Sequence, residues 1–284
     1  MKRVVREGGP VLMEKVIRLR ILGSLAVAAA LALSTGPAMA AGSNTQSHHD
    51  RAERESTRAM GYTCTGGDIP SGRYASITVT GFCDVPAYAV IRVVGNVNVR
   101  AGAVLDAQSA PSTITVGRNV TAAAGSLLGL GCQPPSYTGN SGHECAVEPG
   151  GHSTITVNGN VTATDADTVL LNGITVKRNV MLTGGGGSIP WSIKNNTIGG
   201  NLKVSGQTAA WLGVLFNRIG RNATLTDIAV IDEHPGAPGV YIVRNTIGRN
   251  LTCMGLTPGV SGGFVPGDVN VVGRNAIGQC ASLI

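Results

Sequence analysis

The chain has few aromatic residues, little charge and only one long apolar run. Aromatic side chains make up 4% of the 284 residues and charged side chains 13%. So few aromatic residues argue against a globular core built on Phe and Trp. The apolar run ILGSLAVAAALAL at 21–33 is shorter than the roughly 18 to 20 residues that a membrane-spanning helix needs. Glycine, with 41 residues, is abundant instead, as are Val, Thr and Asn, a composition typical of short strands and tight turns.

The N-terminus has the pattern of a secretory signal. Lys15, Arg18 and Arg20 precede the apolar run, and AMA at 38–40 follows it as a small-x-small cleavage site. The sequence therefore predicts a signal peptide at 1–40, a secreted, extracellular or cell-wall-associated protein, and no transmembrane segment after cleavage.

The basic balance of the chain comes mostly from this signal. Residues 1–40 hold six Lys/Arg and two Asp/Glu, so the net charge falls from +6 to +2 on cleavage. Nucleic-acid binding loses its main compositional support, and no nucleic-acid partner is expected. His143, Glu144 and His152 lie near one another in sequence, but they lack the ligand spacing of a zinc site. No metal and no cofactor are predicted.

A short cassette recurs down the chain, with β-branched residues, then Gly or Arg, then Asn. It reads IRVVGNV at 91–97, ITVGRNV at 114–120, ITVNGNV at 155–161, ITVKRNV at 174–180, NTIGGNL at 196–202, NRIGRNA at 217–223, NTIGRNL at 245–251 and NVVGRNA at 270–276. Its aligned asparagines are Asn96, Asn119, Asn160, Asn179, Asn201, Asn222, Asn250 and Asn275. A period of about twenty residues is typical of a solenoid. The asparagines are predicted to occupy a corner of each coil and to form a ladder of amides.

The expected fold is all-β: a single-domain parallel β-helix, right-handed, with about nine or ten coils. Residues 41–63 are predicted to be a polar leader or N-terminal cap, and 64–284 the β-helix domain. The asparagine spacing of 41 residues between Asn119 and Asn160 covers either two coils or one coil with an excursion. The Pro, Gly and Cys residues at 131–151 predict a disulfide-tied loop there.

All six cysteines follow the predicted cleavage site, and an even count in an exported chain predicts disulfides. A solenoid brings together only coils that are close in sequence. The predicted pairs are Cys64–Cys83, Cys132–Cys145 and Cys253–Cys280.

The run at 64–107, GLGC at 129–132, SIKNNTIGGNL at 192–202 and NTIGRNLTCMG at 245–255 resemble a group of exported actinobacterial proteins with right-handed parallel β-helix repeats. The resemblance implies the fold and export, and it brings no activity, ligand or catalytic residue. Bactofilin-like polymer-forming proteins share the Ile-x-Val-Gly-x-Asn-Val rhythm. They are cytoplasmic, so that likeness is one of shape.

Arginine recurs immediately before the ladder asparagine. The candidate ligand-binding residues are Arg118, Arg178, Arg221, Arg249 and Arg274. In a stack of coils they are expected along one edge, where guanidinium groups bind an acidic polysaccharide or another anionic cell-wall polymer. The alternative interpretation is that exposed charge keeps the solenoid soluble and shields strand edges from aggregation.

No catalytic residue is assigned. The residues that come closest to an acid–base site are Asp165 and Asp167, which are expected on one face of a strand, and Lys177, which is expected one coil later. The alternative interpretation is that they form an ordinary surface ion pair. The sequence predicts a non-enzymatic secreted scaffold or binding protein. The alternative is a polysaccharide-active lyase or hydrolase of the same fold with an unrecognised site.

Overall fold

A computed structural model describes residues 59–231, 239–263 and 269–284, and the predicted signal peptide and the leader at 41–58 lie outside them. The described chain winds into a parallel β-helix, as predicted from the cassette. Strands are numbered in chain order, and each coil has three faces, A, B and C. The direction of winding and the number of coils stay predictions.

Faces A and B belong to a 19-stranded sheet, and face C is a nine-stranded sheet of the described residues. Face A contains the first part of β3 (Gly72–Val79), β5 (Val90–Val93), β8 (Thr113–Val116), β11 (Thr154–Val157), β14 (Thr175–Val176), β17 (Thr197–Ile198), β21 (Arg218–Ile219), β24 (Thr246–Ile247) and β27 (Val271–Val272). Face B contains β1 (Met60–Cys64), the end of β3, β6 (Val97–Val99), β9 (Val120–Ala122), β12 (Val161–Thr164), β15 (Val180–Thr183), β18 (Leu202–Ser205), β19 (Thr208–Ala209), β22 (Ala223–Val230), β25 (Leu251–Thr257) and β28 (Ala276–Gly278). Face C contains β2 (Gly67–Asp68), β4 (Phe82–Asp84), β7 (Val104–Ala107), β10 (Leu127–Leu130), β13 (Thr168–Asn172), β16 (Trp191–Lys194), β20 (Leu212–Leu215), β23 (Val240–Val243) and β26 (Val260–Ser261).

Coils stack in parallel register, like residue on like residue. Ile114 of β8 lies beside Ile155 of β11, and Thr115 lies beside Thr156. The isoleucines point into the core, whereas the threonines stay on the outside, which is the period-two pattern of a strand with one buried face. Each buried aliphatic side chain contributes about 1.5–3 kcal/mol, so the interior column of Ile, Val and Leu stabilises the stack.

The 41-residue spacing is one coil with an excursion, because β8 pairs directly with β11. The excursion contains the short helix α1 (Pro135–Thr138). A 3₁₀-helix, Gln279–Ser282, follows the last strand. The structure starts the β-helix before the predicted residue 64, because Gly61 to Cys64 already pair with the end of β3.

The cysteines form the three predicted pairs. Cys64–Cys83 joins β1 to β4 with 6.3 Å between the Cα atoms, and Cys132–Cys145 ties the excursion at 5.0 Å. Cys253–Cys280 joins β25 to the 3₁₀-helix at 5.3 Å.

Candidate functional site

The five candidate arginines lie in one line at the corner between faces A and B. Consecutive members of this corner position are joined through the backbone. Arg221 N donates to Gly200 O at 3.0 Å, Arg249 N to Arg221 O at 2.9 Å, and Arg274 N to Arg249 O at 3.0 Å. The full order along the corner is Gly95, Arg118, Gly159, Arg178, Gly200, Arg221, Arg249 and Arg274. We call the five arginines of this line the arginine column.

All members of the arginine column are exposed, and within the described residues none has an ion pair or a side-chain hydrogen bond. In the first half of the column an arginine occurs in every second coil, and from Arg221 onward one occurs in every coil. Parallel strands lie about 4.8 Å apart. The backbones of the last three arginines are therefore separated by one strand spacing each, and those of the earlier arginines by two.

Glycine before the arginine makes the corner tight. A Cβ atom on Gly248 would overlap the carbonyl oxygen of Gly220 in the preceding coil, and the same holds for Gly273 over Gly248. A side chain at Gly248 or Gly273 would push these coils apart, whereas the next position is free to carry a long side chain outward. In four of the five cases, all but Arg178, the sequence Gly-Arg-Asn thus combines a tight corner with an exposed arginine.

The predicted asparagine ladder lies immediately beside the column. The Oδ1 atom of Asn179 accepts from the backbone N of Asn201 at 2.9 Å and from its Nδ2 at 3.1 Å. Asn201 accepts in the same way from Asn222, with both distances 3.1 Å. Equivalent bonds link the other members from Asn96 to Asn275. Most of these side chains are half-buried, so one side of the ladder faces solvent.

A shallow groove runs along face B next to the ladder. It has a volume of about 500 Å³ and is lined by Asn179, Met181, Asn201, Leu202, Lys203, Asn222, Thr224, Asn250 and Thr252. Met181, Lys203, Thr224 and Thr252 occupy the same register position on β15, β18, β22 and β25. The groove therefore crosses four consecutive coils in the direction of stacking.

The carboxylates are segregated around the β-helix. On the strands of faces A and B and the corner between them, the described residues include the five column arginines and also Arg73, Arg92, Lys177, Lys203 and Arg218. The one carboxylate on those strands is Asp227, in the second half of β22. The other described acidic residues lie on face C, in the excursion or at the corner between faces B and C: Asp68, Asp84, Asp106, Glu144, Glu148, Asp165 and Asp167. The column therefore stands in a one-sided positive field.

A second asparagine ladder, which we did not predict, lies inside the corner between faces C and A. Asn196, Asn217, Asn245 and Asn270 are only 1–3% exposed. Asn217 Nδ2 donates to Ile193 O at 2.7 Å and to Asn245 Oδ1 at 2.9 Å. Each member precedes its ladder partner at the other corner by five residues, as in Asn217 and Asn222. This ladder is structural, because it has no exposed side.

The structure separates the catalytic candidates. Asp165 and Asp167 do not lie on one face of a strand; both are exposed in the turn between β12 and β13, and Asp165 has φ 51°. Lys177 lies at the opposite edge of face B. The four residues of β15 separate the corner that carries Lys177 from the turn that stacks on Asp165. At about 3.3 Å per residue this is roughly 13 Å or more. The three side chains do not form an acid–base constellation.

The excursion at 131–153 covers part of face C through polar contacts. Lys194 Nζ donates to Ser141 O at 2.7 Å, and Asn140 and Asn195 exchange amide hydrogen bonds at 2.7 and 3.0 Å. Burial first, and then the nearby Lys194 charge, lower the pKa of His143 to about 4, while Asp106 opposes the shift. Burial also lowers the pKa of Lys194. These contacts hold the loop against face C.

Within residues 59–231, 239–263 and 269–284, no cluster of three or more His, Cys, Asp and Glu side chains has the arrangement of a metal site. The same residues include no helix that is long and apolar enough to span a bilayer.

No protein-family model, curated protein or solved structure matches this chain. The resemblance to exported actinobacterial β-helix proteins stays a prediction.

Proposed function

We propose that the protein is a non-enzymatic, secreted or cell-wall-associated β-helix that binds anionic polymers of the cell envelope through the arginine column. The observation that carries the proposal is the alignment of five unpaired, exposed guanidinium groups on a side of the molecule almost free of carboxylates. A guanidinium group binds carboxylate or phosphate through two parallel hydrogen bonds. A row of them suits a ligand that repeats its charge along its length.

The proposed location outside the cytoplasm has two supports. Three cysteine pairs at disulfide distance are compatible with an oxidising compartment. The predicted signal peptide at 1–40 supports export independently. The alternative of a polysaccharide-active enzyme gains nothing from Asp165, Asp167 and Lys177, because the three side chains do not face one another.

The test compares two triple variants of equal charge. Replacing Arg221, Arg249 and Arg274 with Gln should weaken binding of the purified protein to immobilised polygalacturonate and to inorganic polyphosphate by at least about tenfold at low salt. The control replaces Arg73, Arg92 and Arg100, which are exposed away from the column, with Gln.

Wild-type binding should fall steeply with added salt, because exposed charges are screened within about 10 Å at 0.1 M. Equal losses in the two triple variants would show an effect of net charge alone and contradict the proposal. Unchanged binding in the column variant would contradict it as well.

A further inference from the structure

Two of the ladder asparagines at the groove, Asn179 and Asn201, have an unused hydrogen-bond donor and no free acceptor. An amide oxygen has two lone pairs and an amide nitrogen two hydrogens. In Asn179 and Asn201 both lone pairs accept from the next coil, and one N–H donates to the preceding coil. Each amide keeps one N–H without a protein partner at the wall of the groove. These free N–H groups thus recur from one coil to the next along the wall of the groove, beside the arginine column.

The floor of the groove is not purely ionic. Thr224 lies between Lys203 and Thr252 in register, so two hydroxyl groups and one ammonium group follow one another along the coils. Met181, 38% exposed, adds a thioether at the neighbouring register position. A polyphosphate chain can accept from the hydroxyl, ammonium and amide groups, but it has no apolar face for the thioether. A sugar has hydroxyl and ring oxygens for the amides and threonines, and an apolar C–H face for a thioether.

Resting on the proposed function, we infer that the ligand of the column is a carboxylated polysaccharide that lies in the groove parallel to the direction of stacking. Its carboxylates contact Arg221, Arg249 and Arg274, and its hydroxyl and ring oxygens accept from the ladder amides. The strand spacing of about 4.8 Å is close to the length of one pyranose unit, so successive uronate units meet successive coils. Affinity then grows with every unit that reaches another arginine.

The first experiment is a calorimetric titration of the purified protein with oligogalacturonates of increasing length, neutral cello-oligosaccharides of the same lengths, and inorganic polyphosphate. Oligogalacturonate affinity should rise roughly threefold to tenfold per added unit until the column is spanned. Neutral oligosaccharides should bind far more weakly. Polyphosphate should bind more weakly than an oligogalacturonate of equal charge.

The second experiment fills the groove without touching an arginine. Thr224→Trp should weaken oligogalacturonate binding at least about tenfold and polyphosphate binding less than about twofold. The matched control is Thr156→Trp, an outward threonine of the same exposure class on face A. Because a bulky residue can disturb folding, the uncharged Thr252→Gln is a second groove variant, and circular dichroism monitors both.

The outcomes separate the two proposals. If the groove variants leave oligogalacturonate binding unchanged while the arginine variant loses it, the groove inference is wrong and the column still binds anions. If polyphosphate binds as tightly and with the same length dependence, the ligand class is phosphate and the glycan inference is wrong. If wild type binds none of the anionic probes, the proposed function itself fails.

Discussion

Asn217 and Asn222 lie in the same coil and form the same kind of amide ladder at different depths. Asn222 is half-buried, so water can hydrogen-bond the amides of Asn201 and Asn250 if its side chain is removed. Asn217 is 1% exposed and satisfies the carbonyl of Ile193. Its Oδ1 also accepts from Asn196 N at 3.0 Å. Burial therefore decides how much each amide contributes.

Asn217→Ala should destabilise the protein by about 3–5 kcal/mol, because it leaves several buried polar groups unpaired at about 1–3 kcal/mol each. Asn222→Ala should lower the free energy of unfolding by only about 1 kcal/mol, because water can replace the lost hydrogen bonds. Chemical denaturation of both variants measures the difference. Equal losses in the two variants would contradict the distinction between the ladders.

The stacked carboxylates of face C predict an unusual pH dependence. Asp84 lies in register between Asp68 and Asp106. Burial first, then Asp106 and Asp68, raise its pKa from 3.8 to about 6. Between these values the folded chain holds a proton that the unfolded chain has released, so this group lowers stability as pH rises through the window.

Asp84→Asn should therefore raise the free energy of unfolding at pH 7 by about 1 kcal/mol, once solvent screening of this half-buried group is allowed for. It should also remove the decline in stability between pH 4 and pH 6. Denaturant titrations across that range test it, with Asp167→Asn, at an exposed turn, as control. A variant that is less stable at pH 7 would refute the argument.

At the scale of elements, the sequence predicts the features that recur in every coil. It does not predict contacts that form once, between segments far apart in the chain. The cassette predicted the strands, the corner and the exposed ladder, because each coil repeats the same local pattern. The buried ladder had a signal too: an Asn recurs five residues before Asn201, Asn222, Asn250 and Asn275. The clamp on the excursion had none, since Lys194 and Asn195 lie more than 50 residues from the loop positions that they hold.

His143 makes this clamp sensitive to acid. Its folded pKa of about 4 lies below the ordinary 6.5, so the stabilisation is complete above pH 6.5 and is lost as pH falls through 4. Hydrogen exchange of the segment 131–151, corrected for intrinsic rates, should show about tenfold less protection at the low end of this range. His143→Asn should remove the pH dependence, whereas His152→Asn, at an exposed position stacked on Tyr137, should retain it. A wild-type loop with constant protection would count against this role of His143.

At the scale of the whole β-helix, each strand pairs with strands of the adjacent coils, so stability is largely a sum of local terms and the first and last described coils are the weakest points. Cys64–Cys83 and Cys253–Cys280 lie at those two places. Closing a loop of 27 residues contributes about 3–4 kcal/mol by restricting the unfolded chain. In a solenoid that stabilisation is expected to act on the coil it closes rather than on the distant ones.

Replacing Cys253 and Cys280 with Ser should therefore raise hydrogen exchange in β25, β28 and the 3₁₀-helix, and leave β5 to β9 at wild-type protection. The matched double variant Cys64→Ser with Cys83→Ser should do the reverse. Exchange measured peptide by peptide in both variants gives the comparison. Uniform loss of protection along the chain in either variant would mean that the coils unfold as one cooperative unit. In that case the groove would depend on both disulfides. If the coils fray locally instead, the coil that carries Arg274 depends on Cys253–Cys280 alone. Removing that disulfide should then shorten the oligogalacturonate length at which affinity stops rising.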